Sequence, residues 1–174
     1  MLELLILGIG LAVGGGAEPV GKTDQSVGLS TEMVKEAPQV AAKGNALGFE
    51  AEPQTPSGKF TTATEVKPIL QMTKANWVAV REYDGHDIVY FTHLLSWRCG
   101  LKQVKYALND APMQVYDLPP CHEDSPTPNA ILENEGMPIM GLTLKSVQSV
   151  TVELLYDDLS VETAQFERAA VLIP

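Results

Sequence analysis

The chain has 174 residues, 45% of them hydrophobic, and 22 acidic against 12 basic side chains give it a net charge of −10. That length holds one ordinary domain plus extra chain. The acidic balance argues against nucleic acid as a partner, since such binding rests on Lys and Arg neutralising phosphates.

The head MLELLILGIGLAVGGGA (1–17) has the apolar centre and small-residue exit of a secretory signal, with Gly15 and Ala17 spaced as in an A-x-A-like cleavage site. Cleavage after Ala17 is expected, although Glu3 stands where a positive n-region belongs. Its apolar run is too short for a conventional spanning helix, so membrane association is expected only through an uncleaved head. The next residues complete GGGAEPVGKT, which spells the phosphate-loop pattern G-x-x-x-x-G-K-[ST] from Gly16 to Thr23. Such a loop works where it joins a buried strand to a helix whose first N–H groups face the phosphates. The residues after Thr23, DQSVGLSTE, have no helical apolar spacing, and the expected cut removes Gly16. The match is read as accidental, and neither a nucleotide nor any other cofactor is expected.

Ten of the 14 glycines lie in 1–60, whereas nine of the 11 aromatic residues follow Phe60. Residues 18–60 therefore read as a flexible linker, with too few large apolar groups to offset roughly 1 to 2 kcal/mol of backbone entropy per ordered residue. The core must come from a domain at 61–174. At its start Thr62 and Glu65 have capping-box spacing, and Val66, Ile69 and Leu70 share a helical face, with Pro68 expected to limit that helix to a turn or two or to shift its start.

Three hairpins are predicted next. NWVAVREY (76–83) and DIVYFTHLLSW (87–97) flank a turn at Asp84, Gly85 and His86. LKQVKYAL (101–108) sets Val104, Tyr106 and Leu108 against Lys105 and turns into MQVYDL (113–118). SVTVELLY (149–156) alternates Val150, Val152, Leu154 and Tyr156 with Thr151 and Glu153, and TAQFERAAVLI (163–173) can pair back on it. Asp157 and Asp158 between them read as turn residues. Six or seven short strands predict an all-β domain, a small antiparallel sandwich or barrel with immunoglobulin-like topology among the options.

The two cysteines, Cys99 and Cys121, flank the second hairpin, and in an exported chain they are expected to form a disulfide. A catalytic cysteine with His93 or His122 as base is the sharper alternative, but adjacency in sequence does not bring sulfur and imidazole together. Trp97, Arg98, His122, Glu123 and Asp124 are the candidate binding residues, Trp and Arg because they concentrate at interfaces. Trp97 is otherwise expected to pack on the disulfide. His86, His122 and Glu123 are weak candidate metal ligands, outweighed by a reading as hydrated loops because their spacing matches no known signature. His93, within an apolar run, reads as a core or half-buried histidine.

The runs ANWVAVREYDGHDIVYFTHLLSWRCGL, LPPCHEDSPTPNAI, SVQSVTVELLYDD and FERAAVLIP resemble small exported proteins of alphaproteobacteria, a similarity covering about 65–174 and most specific in WRCG and LPPCHED. The resemblance implies a Gram-negative periplasmic or secreted location and carries no activity with it. The expected function is a non-catalytic exported β domain that binds a protein or envelope component. The alternative is a metal- or cysteine-dependent hydrolase built on the His86, His122 and Glu123 loops.

Overall fold

A computed structural model describes residues 48–174. The signal-like head, the phosphate-loop pattern and the linker as far as residue 47 lie outside the described residues.

The β-rich runs form two four-stranded sheets. The first has the order β5–β2–β1–β8, from β1 (Ala79–Tyr83), β2 (His86–Tyr90), β5 (Ile139–Thr143) and β8 (Leu172–Ile173). The second has the order β4–β3–β6–β7, from β3 (Leu101–Leu108), β4 (Gln114–Val115), β6 (Ser149–Tyr156) and β7 (Val161–Glu167). Every pairing is antiparallel except β1 with β8. Val80 and Val89 from the first sheet share one buried cluster with Val104, Val150, Val152, Leu154 and Phe166 from the second. The fold is therefore all-β in its body, with a few short helices at its margins.

Local chemistry accounts for the register. Asp84 and Gly85 have φ of 48° and 73°, the two left-handed residues of a type I′ turn, which matches the twist of β1 and β2. In the second sheet Val104 pairs with Leu154, Tyr106 with Val152 and Leu108 with Val150, so the alternation sets one apolar face inward. On the other face Lys105 and Glu153 are cross-strand partners joined by an ion pair.

Helix α1 (Ala63–Met72) contains Pro68 yet runs for ten residues, longer than the turn or two expected. Proline removes the hydrogen bond to the carbonyl of Thr64, and both Thr64 and Pro68 are exposed, where water can serve that carbonyl. The buried stripe of Ala63, Val66 and Leu70 lies on the core, and the Trp77 indole N–H donates to Leu70 O at 2.9 Å.

Three expectations about strand limits need correction. Residues 87–97 are a strand only to Tyr90, because the next apolar residues, Phe91, Leu94 and Leu95, are buried at helical spacing and form the turn α2 (Thr92–Leu95). Residues 163–173 leave the sheet after Glu167 through the turn α3 (Arg168–Val171), and β8 then crosses to the other sheet beside β1. The second hairpin is short, since β4 pairs only at Val115 and Gln114. Strand β5 had no counterpart in the sequence reading.

Candidate functional site

The segment between β4 and β5, residues 116–138, contains no helix or strand, and a chain of that length needs anchors to hold one shape. Arg98 supplies most of them. It is 1% exposed, and its five N–H groups reach the carbonyls of Pro120 (3.0 Å), Leu95 (3.1 Å), Asn129 (2.8 Å) and Ala130 (2.9 Å) and the Glu135 carboxylate (3.3 Å). The planar fork of arginine suits it to converging carbonyls in a way that lysine cannot reproduce. A disulfide between Cys99 and Cys121, whose Cα atoms are 4.9 Å apart, ties the same segment down one residue further along the chain. The Asn129 side chain accepts from the Cys99 N–H and donates to Phe60 O, completing the staple.

Held in this way, the segment walls a surface cleft of about 630 Å³ lined by Cys121, His122, Glu123, Asp124, Ser125, Thr127, Ala130 and Leu132. Three candidate binding residues, His122, Glu123 and Asp124, thus come together. His122 Nε2 bonds the Glu135 carboxylate at 3.0 and 3.2 Å, and its backbone carbonyl accepts from Ser125 N–H at 2.8 Å. The Leu132 N–H first, then His122 and Arg98, hold the Glu135 carboxyl below its usual range against the opposing effect of desolvation. Glu123 and Asp124 are exposed and carry no ion pair or side-chain hydrogen bond among the described residues, so the cleft presents two carboxylates in a lining that also includes the apolar Ala130 and Leu132. Chemically it accepts hydrogen bonds and attracts cations.

The remaining candidates lie elsewhere. Trp97 is half-buried and edge-on to Phe60, with ring centres 5.3 Å apart, and also meets His93. His86 is exposed in the β1–β2 turn and donates from Nδ1 to Asp84 O. His93 is half-buried on α2, and burial draws its pKa down. The Thr73 hydroxyl gives its one proton to Ile69 O, so His93 Nε2 is the donor in their 2.7 Å bond. Among the described residues no group of three or more His, Cys, Asp or Glu is placed to hold a metal ion, and His86 and His122 line separate depressions.

Two buried aspartates escaped the sequence reading. Asp87, 0% exposed, accepts from the Lys145 and Val147 N–H groups and from both terminal nitrogens of Arg168, and Arg168 above all lowers its pKa to about 2. Asp157 lies in the turn after β6, as expected, but is only 1% exposed. Its Oδ1 accepts from the Ala63 N–H at the start of α1 and from Gln54, while Oδ2 is buried without a hydrogen-bond partner among the described residues. Burial raises the Asp157 pKa, and the nearby Glu52 and Asp158 carboxylates add to the effect. No signal short of the fold distinguishes these two from solvent-exposed aspartates, because each is buried by chain that is distant in sequence.

Comparison with protein-family models, with curated proteins and with solved structures found no match.

Proposed function

We propose that this is an exported, non-catalytic binding module that presents the Cys121–Leu132 cleft to a cationic segment of an envelope protein or surface component. The observation that supports it most is the employment of the reactive side chains. Both cysteines are in the disulfide, His93 serves Thr73, His86 closes a turn, and His122 is braced by Glu135 with no hydroxyl or thiol among the described residues bonded to its ring. What the cleft leaves free is a pair of carboxylates on a rigid wall, which suits recognition more than turnover. The disulfide, together with the signal-like head and the resemblance to exported alphaproteobacterial proteins, supports an oxidising compartment such as the periplasm. No helix among the described residues is long and apolar enough to cross a membrane.

A hydrolase on the His86, His122 and Glu123 loops has little to support it with both cysteines in the disulfide and His86 in a separate depression, and what favours a hydrolase is instead the His122–Glu135 pair, which has the base-and-orienter half of a catalytic set. The two readings separate in a screen of ester, phosphoester and peptide substrates with the disulfide-bonded protein and with His122→Ala. A binding module gives the same background rate for both. Turnover that His122→Ala abolishes while the fold persists overturns the proposal.

A further inference from the structure

On the outer face of the first sheet the register aligns Ala79, Arg81 and Tyr83 of β1 with Tyr90, Ile88 and His86 of β2, and Ile173 of β8 beside Arg81. At one end of this face a depression of about 430 Å³ is lined by Asn76, Ala79, Arg81, Tyr90, Thr92, His93 and Ile173. Its lining is mainly apolar, and its polar members are an arginine and neutral side chains that can donate hydrogen bonds. No Asp or Glu lines it, although the chain carries a net charge of −10. Arg81 is exposed and has no carboxylate partner among the described residues; its guanidinium lies 5.6 Å from the centre of the Tyr83 ring. Among the described residues Lys67, Lys74, Arg98, Lys102, Lys105 and Arg168 pair with carboxylates, whereas Lys59, Lys145 and Arg81 do not, and of these three it is Arg81 that lines this depression. An arginine without a carboxylate partner in the wall of an apolar depression makes a site complementary to an apolar anion.

We infer that this depression binds a small apolar monocarboxylate, of the medium-chain fatty acid class. The Arg81 guanidinium takes the carboxylate, and the hydrocarbon tail lies against Ala79, the Tyr90 ring and Ile173. This site is separate from the acidic Cys121–Leu132 cleft and opposite to it in charge preference.

The test is a titration of the disulfide-bonded protein with octanoate, followed through backbone amide NMR shifts. Saturable shifts centred on Ala79, Tyr90 and Ile173 are expected, with octanol binding more weakly at the same place. Arg81→Gln breaks no ion pair within the fold and is expected to weaken octanoate binding about tenfold or more. Arg81→Lys should keep part of the affinity, and Ala79→Leu, which fills the depression, should abolish it. Unsaturable or scattered shifts, shifts centred on Cys121–Leu132, or equal affinity in wild type and Arg81→Gln would overturn the assignment.

Discussion

Asp87 and Asp157 are both aspartates removed from water, and their surroundings give them opposite roles. Arg168 and two N–H groups stabilise the Asp87 carboxylate, so its folded pKa lies below the unfolded value. The stability it contributes is present above the unfolded carboxylate range and is lost as pH falls through about 2. Asp87→Ala leaves Arg168 without its main partner and is expected to cost about 3 to 5 kcal/mol in urea unfolding at neutral pH. Asp157 has a raised pKa. Its contribution is present below the unfolded carboxylate range and diminishes as pH rises through the higher folded value. Asp157→Asn keeps an acceptor for the Ala63 N–H and removes a carboxyl whose ionisation burial opposes, so it is expected to be neutral or stabilising at pH 7. A loss of more than about 2 kcal/mol, on the scale of orphaning a buried hydrogen-bonding group, would show that the charged form is needed.

The elements around the cleft depend on two close fits. At Gly100 a Cβ would lie 2.4 Å from Val66 Cγ2 and 3.0 Å from the Thr62 backbone, so Gly100→Ala must push α1 off the core. A cost of about 1 to 3 kcal/mol is expected in thermal or urea unfolding. The disulfide, with its cysteines 22 residues apart, closes the loop that holds β3 and β4. Replacing both cysteines by serine should cost about 3 kcal/mol and speed amide exchange in residues 116–138 before it affects β3 and β6. Arg98→Met should produce the same local loosening with the disulfide intact. Uniform exchange across that segment and the sheets in either variant would show that the cleft has no separate brace.

At the scale of the whole molecule, the alternation in 101–108 and 149–156 and the Asp84–Gly85 turn were readable because each is a short-range signal with one period. The Cys99–Cys121 pairing was readable because only two cysteines exist. Phe91–Leu95 was not, since an apolar run interrupted by Thr92 and His93 fits either a strand or a helical turn until the core shows which face is needed. The crossing of β8 was hidden for a different reason. It follows from Arg168, whose guanidinium reaches Asp87 and Glu82, residues more than 80 positions earlier in the chain. The candidate site was legible as residue types, His122, Glu123 and Asp124, but its scaffold was not: Arg98 stood out as a surface-recognition residue and is the buried anchor of the loop.

The Cys121–Leu132 cleft is proposed as a charge-selective docking surface, and a photo-crosslinking residue placed at Ser125, on the cleft wall, in the protein expressed in its own cells probes that role. A docking surface there gives a discrete protein adduct that forms from Ser125, is absent when the crosslinker is moved to Gln165 on the edge strand β7, and disappears with Glu123→Lys and Asp124→Lys together while the fold is retained. No adduct from Ser125, or an adduct indifferent to that charge reversal, contradicts that role.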